Sequence, residues 1–453
     1  MRGNAHGAAF IRGTAQGSSH RAFLRTFTRQ SLLGATTLRS RMISFDPTPD
    51  QKLMRDTVAE LAKSALLPRM RQTEAARDLP AEARSAVSAL GLAAAAFGAD
   101  EGGAGLGLLT AVMIEEELAA GDAAAAFAVP GPHAFGVAVA ELGTKEQAAL
   151  HLGPFFEGDN ARFGAVAWGE PKAHAARPGL CTLATRVGDA WELSGHKAYV
   201  IGADRADVFV VFAQIDEAQG WNGLGAFVVN KSAPGVSVGS RATTLGLDAA
   251  SFGEVTFDKV RVTDEARLQG NGNFTASLVR FFCKNALTMA ARSVGLARAA
   301  FDTALAYCET RKAFGKPIGH FQAVAFNLAD RAMDVEAART MVLRAASAWD
   351  AGDAGAVGLS RPWDQEAMLL SAQAISFSHE AAMRCGDDGV QLHGGAGFIR
   401  DYAAEKYMRD AKQLQLCGMT AEHADQLAAN IELGQPFDLG LVLPSAETQS
   451  AFV

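Results

Sequence analysis

Three segments in the last third of the chain carry residues suited to binding a ligand through its phosphates. Arg311 lies in the predicted last turn of a helix, where its planar guanidinium can form a bidentate contact with a phosphate. Gly394 and Gly395 belong to a glycine-rich loop, a kind of loop that lets a ligand approach the backbone closely. The third segment, residues 409–412, reads Arg-Asp-Ala-Lys and leads to Thr420. Taken alone, each feature also has a structural explanation, such as a helix C-terminal charge or a plain loop.

In their order and spacing, these segments resemble the acyl-CoA dehydrogenase family. The matching stretches are residues 307–322 for its Y-x-x-x-R-x-x-F-G…F-Q pattern, residues 391–398 for its Q-x-x-G-G-x-G-[YF] loop, residues 409–412 for its R-D-A-K segment, and residues 102–105 and 191–197 further upstream. Any one of these motifs is weak by itself, and the set is specific. The resemblance extends over residues 44–432.

The resemblance implies an α+β fold made of an N-terminal helical domain, a middle antiparallel β-barrel and a C-terminal four-helix bundle, usually assembled as a tetramer. It also implies FAD between the barrel and the bundle. The residues that the resemblance assigns to FAD contacts are Arg311, Phe314, Gln322, Gln391, Gly394, Gly395 and Thr420. Glu170, Tyr199 and Val200 are assigned to the side of the isoalloxazine ring.

The family reaction is the α,β-desaturation of an acyl-CoA thioester, with electrons passed to an electron-transfer flavoprotein. It requires a carboxylate that removes the proton alpha to the thioester carbonyl. The family places this Glu six positions after the Lys of R-D-A-K, and in this chain that position is Gly418. Some branches place it instead on a long helix just before an Arg, and those two positions are Asn285 and Ala286 here. Asp100 and Glu101 remain as candidates for a relocated base.

Other departures lie near the same reacting centre. The family T-E-P-x-x-G-S-D loop becomes Gly-Glu-Pro-Lys-Ala-His-Ala over residues 169–175, and Val200 and Ile201 stand where I-[TS] is frequent. These changes indicate altered or absent chemistry, or a mixed assembly in which a related subunit brings the base. Two alternatives stay open. One is a non-catalytic partner subunit that binds FAD or CoA, and the other is a flavin oxidase or oxygenase on the same fold.

The elements that must position these residues can be read from periodicity. Thr48 and Pro49 predict a helix start, and Pro68 a helix end. Helical patterns continue to about residue 150, short β-prone runs follow from about 160, and long helices return after about 273. The β-prone runs cover residues 163–168, 182–187, 198–201, 208–213, 226–229 and 254–262. The predicted boundaries are residues 44–158 for the helical domain, 159–272 for the barrel, 273–432 for the bundle and 433–453 for a tail.

Composition excludes several classes of protein. The net charge of −7 argues against a broad nucleic-acid surface, which needs clustered Lys and Arg. No apolar run is long enough to predict a membrane span. The five cysteines form no CxxC pair or Cys/His cluster, so neither a zinc site nor a disulfide framework is indicated.

Residues 1–43 differ from the rest because they hold seven arginines and no acidic residue. This composition predicts a disordered or transit-like leader, and a wrongly chosen upstream start is the alternative. A bacterial protein of this kind is expected in the cytoplasm. A transit peptide would instead direct it to the mitochondrial matrix.

Overall fold

The computed structural model describes residues 47–98, 101–156, 162–172, 178–270, 273–353 and 365–435. The predicted leader over residues 1–43 and the candidate base Asp100 lie outside the described residues, as does nearly all of the predicted tail. Within the described part of the chain, no helix is long and apolar enough to cross a membrane.

Helices form the first part of the fold. They are α1 (Pro49–Leu61), α2 (Met70–Ala76), α3 (Ala81–Ser88), α4 (Gly107–Ala128), α5 (His133–Leu142) and α6 (Lys145–Phe156). The predicted start at Pro49 is confirmed, since proline at the first helical position lacks only an N–H that would have no partner there. Pro68 does not end the helical path, contrary to the prediction. A π-helical turn over Ala62–Leu66 leads into a 3-10 turn in which Pro68 occupies an N-terminal position, and α2 follows.

The described residues between 162 and 270 form an eight-stranded sheet, and a short hairpin follows later. The strands are β1 (Gly164–Ala167), β2 (Leu183–Val187), β3 (Ala190–Ile201), β4 (Val208–Gln214), β5 (Leu224–Asn230), β6 (Val236–Val238), β7 (Phe252–Thr263) and β8 (Arg267–Leu268). Their order is β6-β7-β3-β2-β4-β5-β8, with β1 paired to β4. Most pairs are antiparallel, but β1 runs parallel to β4, so the sheet is mixed rather than purely antiparallel.

Strand β3 is much longer than the β-prone run predicted at residues 198–201. It begins at Ala190 and pairs with β7 along most of its length, with two register shifts. Gly195 and the polar residues beside it interrupt the alternation of apolar residues, so the sequence shows only the end of the strand. The Trp191–Lys197 motif is therefore part of the sheet.

The last part of the fold is a helical bundle. Its helices are α7 (Phe274–Thr310), α8 (Gln322–Asp353), α9 (Gln365–His393), α10 (Ala404–Leu414) and α11 (Ala421–Glu432), with the hairpin β9 (Lys312–Ala313) and β10 (Lys316–Pro317) between α7 and α8. Helix α7 crosses α4 closely at Gly295. A Cβ at this position would lie 2.1 Å from the carbonyl oxygen of Glu116, so only glycine permits the approach. This contact fixes the spacing of two helices, α4 and α7, that both line a large cavity.

Candidate active site

A cavity of about 820 Å³ lies between α4, α7, the sheet and the turn after α10. Its walls are largely apolar. The residues that line it include Ile114 and Leu118 of α4, Phe127 and His133, Trp168, Gly169 and Tyr199 of the sheet region, Phe282, Asn285, Met289 and Arg292 of α7, and Gly418. The space is enclosed by parts of all three predicted domains, as a site for a large ligand requires.

Gly418 lines this cavity with a backbone φ of +79°, in the left-handed region that disfavours side chains. The turn arises because α10 ends at Leu414 and Thr420 begins the next helix as its N-cap, accepting a hydrogen bond from the His423 N–H. A Cβ at Gly418 would lie 3.3 Å from Met289 Cγ and 3.6 Å from Ala286 Cα.

The two places implied for the general base therefore meet in space. Asn285 lines the cavity, and Ala286 lies directly beside Gly418. Neither position carries a carboxylate. Among the described residues, the cavity thus has no acid at either place.

The loop candidates do not reach this point. Glu101 accepts a hydrogen bond from the Gly98 N–H at 2.8 Å, within its own loop, and is not among the residues that line the cavity. Asp100 lies outside the described residues.

Glu115 is the one acidic residue among the described residues that line the cavity, and the sequence reasoning did not assign it a role there. Its carboxylate accepts a hydrogen bond from Arg292 Nε at 2.7 Å, which joins α4 to α7. The Arg292 side chain is almost fully buried. The adjacent Glu116 and Glu117 pair instead with Arg298, one turn and a half further along α7. No pattern in the sequence distinguishes Glu115 from these neighbours, since all three acids are consecutive.

His133 also lines the cavity. Its φ of +43° turns the chain at the start of α5, and its Nε2 lies 2.6 Å from the carbonyl oxygen of Val129. Burial and then the Arg292 cation lower the pKa of His133 to about 4. The ring is therefore neutral at physiological pH.

The three residues assigned to the isoalloxazine side are placed differently from one another. Tyr199 is 66% exposed, has a φ of +56° and lines the cavity. Val200 is buried in the core of the sheet. The carboxylate of Glu170 accepts hydrogen bonds from Lys197 Nζ and from the backbone N–H groups of Cys181 and Thr182. Its oxygens are thus committed to holding the strand region together.

Burial disfavours the charged form of both Lys197 and Glu170, so it acts on their pKa values in opposite directions. It is the main cause that lowers the pKa of Lys197 to about 8. Burial acts to raise the pKa of Glu170, but the Lys197 ammonium and the two backbone donors outweigh it, and the pKa lies below its usual value. The pair therefore stays ionised at neutral pH.

The remaining FAD candidates lie on an exposed surface, hereafter the α7/α9 end surface, formed by the C-terminal ends of α7 and α9 and the segments after them. Its candidate residues are Arg311, Phe314, Gln322, Gln391, Gly394 and Gly395. The two segments meet through the ring of Tyr307, which stacks on His393 with 4.2 Å between centroids. Helix α7 ends at Thr310, so Arg311 is the first residue after the helix rather than part of its last turn. None of these six candidates lines the cavity within one chain.

The α7/α9 end surface fits an anionic ligand with an extended body. The Arg311 side chain makes no hydrogen bond or ion pair among the described residues, and Phe314 is 97% exposed. Gly394 has a φ of +57°, and a Cβ added at Gly394 or Gly395 would have no atom within 4 Å. Backbone groups there are open to a ligand, as phosphate recognition requires.

Comparison with known proteins identifies the fold. Three family models match: the acyl-CoA dehydrogenase N-terminal domain over residues 48–159, the middle domain over 165–260 and the C-terminal domain over 275–431. Cyclohex-1-ene-1-carbonyl-CoA dehydrogenase of Geobacter metallireducens is 32% identical over 369 residues, which are 82% of this chain and 94% of that protein.

Solved structures of acyl-CoA dehydrogenases have the same fold as this chain. Butyryl-CoA dehydrogenase from Megasphaera elsdenii has a TM-score of 0.78 at 27% identity, with 86% of this chain and all of that chain covered. A glutaryl-CoA dehydrogenase from Mycobacterium smegmatis, in complex with FADH2, shares the fold with a TM-score of 0.73 at 22% identity, over 86% of this chain and 97% of that chain. The chain belongs to the acyl-CoA dehydrogenase family, whose members are FAD-dependent oxidoreductases of lipid metabolism that act on CH–CH bonds.

Proposed function

We propose that this protein binds an acyl-CoA thioester in the cavity beside Gly418 and takes part in its α,β-desaturation, passing the electrons to an electron-transfer flavoprotein. Family membership supports the reaction type. The apolar walls contributed by α4 and α7 support an acyl group as the occupant, because burying hydrocarbon there is favourable.

The residues that would hold FAD belong to two groups. We assign the phosphates to Arg311 and the backbone at Gly394 and Gly395, with Phe314, Gln322 and Gln391 alongside, and the ring system to the side of the cavity near Tyr199 and Thr420. When bound, FAD supplies the acceptor for the hydride that leaves the beta carbon. Because the α7/α9 end surface is exposed in the single chain, we further propose that it is completed by another subunit, identical or related.

One observation decides the form of the proposal. Gly418 and Asn285 both line the cavity without a carboxylate, and Glu115, the one acid among the described lining residues, is paired with Arg292. That hydrogen bond already engages one oxygen of the Glu115 carboxylate and ties it to α7. We therefore propose that desaturation depends on a mixed assembly in which a related subunit contributes the base.

Anaerobic titration of the FAD-loaded protein with acyl-CoA thioesters tests this. We expect binding, seen as a perturbed flavin spectrum, with little or no bleaching for the chain alone. Bleaching should appear when the chain is co-expressed with a family member that has a Glu at the position of Gly418. Rapid bleaching by the purified chain alone would contradict the mixed assembly, and absence of any thioester binding would contradict the acyl-CoA site.

The missing carboxylate equally favours a second candidate, a non-catalytic subunit that binds FAD or CoA for a partner. In that case the mixed assembly should turn over while reduction of the flavin of this chain is never observed. A partner chain that lacks its own FAD site distinguishes the two, because turnover then requires the flavin bound here.

We propose the bacterial cytoplasm as the location, since the relatives from Geobacter and Megasphaera are bacterial, with the mitochondrial matrix as the alternative. None of the five cysteines, all of which belong to the described part of the chain, forms a disulfide, which suits the reducing environment of either compartment.

A further inference from the structure

The cavity contains a charged pair whose hydrogen-bonding capacity is only partly used. Arg292 donates through Nε to Glu115, and its Cζ lies 4.0 Å from the centroid of the Phe127 ring. Among the described residues, neither Nη atom of Arg292 has a hydrogen-bond partner, nor does the second carboxylate oxygen of Glu115. Both residues line the cavity, so two donor groups and one acceptor oxygen remain for whatever occupies it.

His133 adds a second acceptor. Because its Nε2 lies against the Val129 carbonyl oxygen, that nitrogen carries the proton and donates, which leaves the lone pair on Nδ1. Nδ1 has no partner among the described residues. The low pKa of His133, caused by burial and then by Arg292, keeps the ring neutral and Nδ1 an acceptor.

A purely hydrocarbon acyl chain does not suit these three side chains. It would displace water from a buried cation and a carboxylate without replacing the lost hydrogen bonds, and leaving such groups unsatisfied is unfavourable. An enzyme for plain acyl chains would be better served by apolar residues at these positions, because a buried ion pair gains little over a hydrophobic replacement.

We propose that Glu115, Arg292 and His133 form a polar subsite that binds a hydroxyl group carried by the acyl portion of the substrate. This inference rests on the proposed function above. A hydroxyl oxygen accepts from Arg292 while its proton is donated to Glu115 or His133, so one group serves both kinds of partner. A carboxylate has no proton to donate and would bring a second negative charge beside Glu115.

Matched pairs of thioesters test the subsite on the FAD-loaded protein. Binding of ω-hydroxybutanoyl-, ω-hydroxyhexanoyl- and ω-hydroxyoctanoyl-CoA is measured by calorimetry beside the unsubstituted thioesters, with adipoyl-CoA as the carboxylate member. In at least one pair the hydroxyl should strengthen binding by about 10- to 100-fold, the effect of a hydrogen bond to a charged group. The double variant Glu115→Leu with Arg292→Met, which removes both charges together, should abolish that preference.

Glu336→Gln is the matched control, because Glu336 belongs to an exposed pair with Arg339 outside the cavity. It should leave the preference unchanged. Equal affinities within every pair, a preference that survives the double variant, or tighter binding of adipoyl-CoA would each overturn the subsite. Bleaching of the wild type by unsubstituted thioesters would also overturn it if Glu115→Gln kept binding and abolished that bleaching, since Glu115 would then act on the alpha carbon.

The same titration separates this inference from the proposed function. If unsubstituted thioesters bind and the hydroxyl has no effect, the subsite alone is wrong. If no thioester binds the wild type, the proposed function is wrong and the subsite with it.

Discussion

The cavity and the α7/α9 end surface differ in how much of the family pattern they retain. On the end surface, Arg311 and the Gly394-Gly395 pair are present, and a Cβ at either glycine would meet no atom of the described chain within 4 Å. In the cavity, Gly418 and Asn285 stand at positions where the resemblance implies a carboxylate, and Gly169 stands where it implies a flavin-contacting Thr. On our proposal, a surface for the FAD phosphates is kept beside a reaction centre that has changed, so we expect cofactor binding and proton abstraction to be separable requirements.

The polar groups of the two regions also differ in what they do. Those on the end surface are exposed and uncommitted, whereas Glu170, Glu115 and Arg292 around the cavity already pair with other protein groups. We therefore expect substitutions on the end surface to change cofactor affinity, and substitutions around the cavity to change substrate preference, reactivity or stability.

Restoring a carboxylate in the cavity should have the largest effect. Asn285→Glu places it on the regular helix α7, facing the cavity, and we expect acyl-CoA-dependent bleaching to accelerate by about 10²- to 10⁴-fold. Gly418→Glu should restore less, because its φ of +79° disfavours a side chain and Met289 lies close. Stopped-flow absorbance under anaerobic conditions measures both. Asn285→Gln is the control, and a wild type as fast as Asn285→Glu would show that a base is already present.

Acid should destabilise the region behind the cavity turn. His379 is fully buried, and its Nδ1 forms a hydrogen bond with the Ser293 hydroxyl at 2.8 Å. Burial lowers the pKa of His379 to about 4, against smaller opposing effects of Met419 and Glu422. A folded-state pKa below the unfolded value means that stability is complete above pH ~6.5 and declines as the pH falls toward ~4, by roughly 3 kcal/mol.

Denaturant unfolding across this pH range measures the decline. His379→Gln removes the titrating group, so its stability should be lower at neutral pH and should fall less on acidification. His320→Gln, the same change at an exposed histidine, serves as the control. An identical pH dependence in wild type and His379→Gln would show that His379 is not the group responsible.

On the end surface, Arg311→Ala should weaken FAD binding by about 10- to 100-fold, since a phosphate loses a charge-assisted bidentate partner. Equilibrium dialysis against FAD measures the loss, and Arg311→Lys should restore part of it. Arg344→Ala, at another exposed arginine, should bind FAD as the wild type does. Unchanged FAD affinity in Arg311→Ala would remove Arg311 from the cofactor site.

The smallest effect is expected at the glycine loop. Gly394→Ala should cost about 1 kcal/mol of stability because its φ is +57°, whereas Gly395→Ala should be nearly neutral, since neither Cβ meets another atom. Thermal unfolding of the two FAD-free variants measures this. Any loss of FAD affinity in Gly395→Ala then reports the approach of the ligand to the backbone. Full affinity in both variants would mean that the loop does not contact FAD.

Much of the fold could be predicted from local pattern. The helix start at Pro49 and the strands over residues 208–214 and 224–230 agree with the expectations, because proline chemistry and apolar alternation act over a few residues. The full length of β3 could not be predicted. Its first half is held by pairing with β7 and has no strong alternation of apolar and polar residues. The helix end predicted at Pro68 was wrong for a similar reason, because a 3-10 turn accommodates the proline and the helical path continues.

For the site, the sequence alone determined which residue types are present: a glycine at a position where the resemblance implies the base, and the motif residues of the α7/α9 end surface. Tertiary structure alone decided which of them meet. It brought Gly418 beside Ala286, committed Glu170 to Lys197, and selected Glu115 from three consecutive acids to face Arg292 in the cavity. These outcomes depend on how α4, α7 and the sheet pack against one another. Contacts between residues far apart in sequence are set by that packing and leave no local pattern to read.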